Sequence, residues 1–65
     1  MKYQVLAYAE TRGTATMYET DDYNTAKGWL VGYVRDGFGG WEEFLINNAD
    51  GEPQSSFDEY GWTHY

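Results

Sequence analysis

Eleven Asp and Glu side chains are the abundant reactive groups of this chain. Paired carboxylates can act as acid and base when they face each other across a substrate. The adjacent pairs are Asp21-Asp22, Glu42-Glu43 and Asp58-Glu59. Neighbours on a strand point to opposite faces, so spacing alone brings no such pair together. Asn48-Ala49-Asp50-Gly51 shares positions with a calcium-binding loop. That loop needs Asp where Ile46 stands and Glu where Phe57 stands, so the segment reads as a turn. Gly37-Phe38-Gly39-Gly40 is glycine-rich, but phosphate cradles enter a helix and usually carry a positive charge. No Lys follows, and Asp36, Glu42 and Glu43 would repel phosphate, so this segment reads as a flexible linker. His64 is the single histidine and there is no cysteine. Zinc clusters, thiolate chemistry and disulfides are thereby excluded. No Ser or Cys pairs with His64 to make it a catalytic base. The residues carry no catalytic signature; the expectation is a non-enzyme with no cofactor and no metal.

The carboxylates matter instead as a charge distribution. Four Lys and Arg oppose them, leaving a net charge of −7 in 65 residues, while aromatics make up 20% of the chain. Acidity alone favours disorder, but aromatics at this density can build a core. The expectation is a folded domain with an anionic face, which repels nucleic acid and anionic membrane and attracts basic surfaces. Alternate strand residues such as Glu19 and Asp21 lie ~6.6 Å apart. That is close to the ~7 Å between successive phosphates of one strand, given the ~3.4 Å axial rise per strand and the helical turn. Carboxylates so spaced can stand in for phosphates in a basic groove. An acidic surface kept for solubility is the plainer reading of the same residues.

The elements that must position these groups follow from periodicity. Residues 2–10 alternate as a strand with apolar residues in both sets, and Thr11-Arg12-Gly13 turns the chain into a partner strand over 14–20. Asp21-Asp22-Tyr23-Asn24 marks a helix start. Ala26, Trp29, Leu30, Tyr33 and Val34 form one helical stripe, with Arg35 in the last turn and Gly37 beyond it. Gly28 and Gly32 predict close packing of the helix on the sheet, or else contact with a second helix. Residues 41–47 suit a strand or a helix; the strand is preferred because Asn47-Asn48-Ala49-Asp50-Gly51 is a strong turn signal. Residues 52–57 then return as a fourth strand, placed at an edge by Pro53. The tail from Asp58 to Tyr65 carries three aromatics and is expected to pack. The fold class is α+β: one domain over residues 1–65, a small antiparallel sheet of three to four strands, and one helix on one face (ββαβ or ββαββ). No apolar run is long enough to span a membrane, and the start of the chain lacks a signal peptide's apolar region. A cytoplasmic location and a complete Met-initiated gene product are expected.

In size, absence of cysteine, net charge and scattered Asp and Glu, the chain resembles small acidic phage-encoded counter-defence proteins. These include anti-CRISPR proteins, anti-restriction proteins and DNA-glycosylase inhibitors. The resemblance implies stoichiometric inhibition of a nucleic-acid-binding host defence complex by blocking DNA or RNA access. It implies no particular fold and no contact residues. Contacts are expected instead from the residues themselves: Glu19, Asp21, Asp22, Asp36, Glu42 and Glu43, with Tyr23 and Trp41 as aromatic anchors. Charge reversal at Asp21 and Asp22 together is expected to weaken binding without unfolding. Two alternatives stay open. One is a module that binds sugar or peptide on the open sheet face. The other is a structural subunit, with a homodimer through the Gly28/Gly32 face.

Overall fold

The computed structural model describes residues 2–65, leaving Met1 outside the described residues. Strands β1 (Tyr3–Ala9) and β2 (Gly13–Thr20) form the expected hairpin, and helix α1 (Tyr23–Val34) follows. Strands β3 (Glu43–Asn47), β4 (Pro53–Asp58) and β5 (Gly61–His64) complete the chain. The fold is α+β, with a five-stranded antiparallel sheet in the order β2-β1-β3-β4-β5.

Alternation on the strands sets the core. Val5 and Ala7 of β1 meet Ile46 and Phe44 of β3 on one face, and all four are buried, as is Ala9 at the end of β1. Ala26 and Leu30 of α1 close over them. Small side chains at Ala7 and Ala26 let helix and sheet approach closely, and aromatic rings fill the margins. Tyr18 stacks on Trp29, with ring centroids 5.0 Å apart. Phe38 meets Phe44 edge-on at 5.4 Å, and Phe57 packs on Trp62 at 5.0 Å. Ser55 is fully buried, and its hydroxyl accepts a 2.9 Å hydrogen bond from Tyr23 Oη. Burying that hydroxyl unpartnered would be costly.

The helix starts where the acidic cap predicts. Asp22 is the N-cap, accepting from Thr25 N at 2.8 Å and from Thr25 Oγ1 at 2.9 Å. Its side chain satisfies a backbone donor that would otherwise lack a partner. Arg35 is the C-cap and not part of the last turn.

Several expectations need correction. The sheet has five strands because residues 61–64 pair with β4. β4 is therefore an inner strand, and Pro53 is tolerated as its first residue, where β3 also shifts register. Trp41 and Glu42 precede β3, which begins at Glu43. The linker is anchored: Phe38 packs into the core, and Gly39 O accepts a hydrogen bond from Arg12 Nη1 at 3.2 Å. Gly28 and Gly32 do not face the sheet. Both are exposed, and a Cβ at either would meet nothing within 4 Å.

The tail packs only in part. Trp62 is half-buried against Phe57, whereas Tyr60 is 90% exposed and Tyr65 69% exposed. Tyr65 Oη still lies 3.2 Å from Ser56 Oγ.

Candidate functional site

Antiparallel pairing brings distant segments to one end of the sheet. Tyr8 of β1 pairs with Glu43 of β3, Phe44 with Phe57 of β4, and Asp58 with Gly61 of β5. The β1–β2 turn, the start of β3 and the β4–β5 turn therefore share that end. Glu10, Glu42, Glu43, Asp58 and Glu59 all lie there, from segments up to 49 positions apart in the chain (59 − 10).

Among them is a pocket of about 460 Å³ lined by Phe38, Trp41, Glu42, Glu43, Asp58, Glu59 and Tyr60. Three aromatic and four acidic residues line it, with no Lys or Arg. That volume falls in the range of small-ligand sites. Two carboxylates have structural partners. Glu42 Oε2 accepts a hydrogen bond from Glu10 N. Asp58 Oδ1 accepts from Tyr60 N at 2.9 Å, closing the β4–β5 turn. Glu43 and Glu59 take no part in those bonds. Glu43 and Asp58 are half-buried, while Glu42 and Glu59 are exposed. One step beyond the Phe44–Phe57 pair, Glu43 and Asp58 continue neighbouring strands, where like charges destabilise one another.

Trp41 is held from outside the pocket. The Arg12 guanidinium carbon lies 4.0 Å from the Trp41 ring centroid. Arg12 also ties the β1–β2 turn to the loop before β3 through Gly39 O. Gly40 has φ 89°, and a Cβ there would approach Arg12 Nη1 to 3.0 Å. Any side chain at this position would strain the backbone and press on the clasp.

Of the contact residues expected from the sequence, Trp41, Glu42 and Glu43 line the pocket. Asp36 is exposed on the loop leading to it. Glu19, Asp21, Asp22 and Tyr23 lie toward the opposite end, about 20 Å away along a seven-residue strand. Glu19 Oε2 accepts from Gln4 Nε2 at 2.8 Å. Asp21 falls beyond the last residue of β2, so the alternate-residue spacing with Glu19 does not continue on a strand. Asp22 caps the helix, so reversing its charge also removes the cap. Tyr23 is no exposed anchor: it is half-buried, bonded to Ser55 and edge-on to Tyr3 at 5.7 Å.

Sequence reasoning passed over Phe38, Asp58, Glu59 and Tyr60 as site residues. A signal existed in Asp58-Glu59-Tyr60-Gly61, where Asp opens and Gly closes a tight turn. Gly61 has φ 105°, as that turn requires. Glu42 and Glu43 share one pocket although adjacent, because Glu42 precedes the strand and escapes its alternation.

The other chemistry stays local. Asn48 Oδ1 accepts from Asp50 N and Glu52 N at 2.9 and 3.0 Å, so residues 48–51 are a hairpin turn. His64 is exposed, its ring stacked 6.2 Å from that of Trp62. Among the described residues, no group of three or more His, Cys, Asp or Glu could hold a metal ion. None of their helices is long and apolar enough to cross a membrane. No family model matches this chain, and no curated protein or solved structure does either.

Proposed function

We propose that this protein is a non-enzymatic, stoichiometric inhibitor that acts in the host cytoplasm. Its acidic sheet end binds a basic surface on a nucleic-acid-binding defence complex, of the CRISPR-Cas or restriction-nuclease kind, and denies that surface to DNA or RNA. The observation carrying this reading is one pocket lined by Glu42, Glu43, Asp58 and Glu59 together with three aromatic residues, with Glu10 at the same end of the sheet. Carboxylates steer and orient a basic partner, and aromatic side chains supply the anchoring contact. Tyr60, almost fully solvated on a tight turn, is such an anchor. The carboxylates divide between the two ends of the sheet and do not run along a strand; at one end they line a pocket. The reading is therefore of a compact anionic plug that meets phosphate-binding Arg and Lys, with no extended copy of a nucleic-acid backbone.

The test is affinity capture from bacterial lysate with wild-type protein and with Glu43→Lys/Glu59→Lys. A nucleic-acid-binding complex held by the wild type, lost in the variant and displaced by DNA or salt is the expected result. A partner that resists both DNA and salt would overturn it.

A rival reading has one observation in its favour. Gly28, Val31 and Gly32 form an exposed face of α1, with Val31 47% exposed. A structural subunit pairing through this helix would leave the acidity as a solubility device. Sedimentation that stays monomeric up to high protein concentration would dispose of that rival.

A further inference from the structure

We infer that the pocket at the acidic sheet end receives an arginine side chain of the partner. This rests on the functional reading above and names the group recognised. Charge selects a cation, because four carboxylates and no Lys or Arg line the cavity. Spread selects an organic cation over a metal ion. The acids stand round the walls, and no three of them among the described residues converge as metal ligands.

The walls then favour a planar cation. Phe38, Trp41 and Tyr60 line the cavity, and an aromatic ring attracts a guanidinium, which stacks on it. Glu43 and Asp58, side by side at the ends of β3 and β4, offer carboxylate oxygens to its forked N–H donors. An ammonium matches neither feature as well, being a compact point charge without a stacking plane.

The chain already seats its own cations in this manner. Arg12 lies over Trp41 at 4.0 Å, and Lys27 Nζ lies over Trp62 at 4.9 Å. Two of its four basic side chains thus rest on indole rings. Arg12 lies against Trp41 without being one of the pocket's lining residues, so the lining itself holds four acids and no base.

The experiment is an NMR titration of the isotope-labelled protein with Nα-acetyl-arginine methylamide, and in parallel with the lysine analogue. Saturable shifts at the Trp41 indole N–H and at Tyr60, with arginine bound several-fold more tightly, are expected. Glu43→Gln should weaken the arginine probe by roughly tenfold, the scale of one charge-assisted hydrogen bond. Tyr60→Leu, which changes a solvated side chain and leaves the core intact, should weaken it by about threefold. Equal affinity for the two probes, shifts centred elsewhere, or no saturation would overturn the inference. The functional reading fails separately. If the arginine probe does not bind while Glu43→Lys/Glu59→Lys still loses the captured complex, the inhibitor reading stands and the arginine pocket falls. If the probe binds as expected but no nucleic-acid-binding complex is captured, the pocket stands and the inhibitor reading falls.

Discussion

The two ends of the sheet hold the same residue types and use them differently. At the end where α1 begins, three acids serve local structure. Asp22 caps the helix, Glu19 accepts from Gln4, and Glu52 accepts from Asn48 across the β3–β4 turn. The tyrosine there, Tyr23, is drawn into the core by Ser55. At the other end, Glu43 and Glu59 stand round a cavity with Trp41 and Tyr60. A count of carboxylates would rate the two ends alike. Hydrogen bonding does not separate them either, since Glu42 and Asp58 accept backbone N–H bonds as Asp22 does; what separates them is the pocket, where the acids of one end line a single space with Phe38, Trp41 and Tyr60.

That contrast can be broken experimentally. The largest effect is expected from charge reversal. Glu43→Lys/Glu59→Lys should lower affinity for a captured partner by about 100-fold, or ~2.7 kcal/mol, on the scale of disrupted interfacial charge contacts. Asp21→Lys should change it by less than about twofold, as a distant rim charge would. Comparable losses from both, read by titration calorimetry, would erase the distinction between the ends.

Next come the tyrosines. Tyr23→Phe strips the buried Ser55 hydroxyl of its donor and should cost about 1–3 kcal/mol of folding stability, measured by urea denaturation. Tyr60→Phe should leave stability within about 0.5 kcal/mol, because its ring is solvated. Similar midpoints for the two variants would show that Tyr23 is not a core residue.

Asp22→Ala removes the cap and should destabilise the domain by about 1 kcal/mol. Thermal unfolding should then shift down by about 4–8 °C in a chain of this size. Glu59→Ala should not shift it by more than a degree or two, as an exposed residue outside these bonds.

The smallest effect concerns the helix face that neither end uses. Gly28→Ala meets open space and helical backbone, so it should raise stability by up to about 1 kcal/mol without altering partner binding. If it instead lowers stability in a concentration-dependent way, the helix is a self-association surface.

Much of the fold was legible in the chain. The hairpin, the capped helix with its Ala26–Leu30 stripe, and the turn at 48–51 rest on contacts between near neighbours. Their signals, alternation, capping and turn chemistry, are therefore written locally. β5 was hidden because its four residues have weak strand character alone and become a strand by pairing with β4. Pro53 pointed to an edge because a missing N–H is costly mid-strand, yet at the first position of β4 it removes little. Gly28 and Gly32 pointed to a packed face because glycine permits close approach. Exposed glycine costs the helix about as much, and composition does not say which way the stripe points.

The candidate site divides along the same line. The sequence alone determined the net charge, the absence of cysteine, the single histidine, and the identity of Trp41, Glu42 and Glu43 as acidic and aromatic neighbours. It also determined that Asp22 would sit at a helix start. Only the tertiary structure decided that Asp58, Glu59 and Tyr60 join them, that Tyr23 turns inward, and that Asp21 stays some 20 Å away, the length of β1. The reason is physical. Charge and capping belong to single residues and their near neighbours, whereas a pocket between turns exists only once strand register has been chosen. Register is set by burial of Val5, Ala7, Phe44 and Ile46 on one shared face.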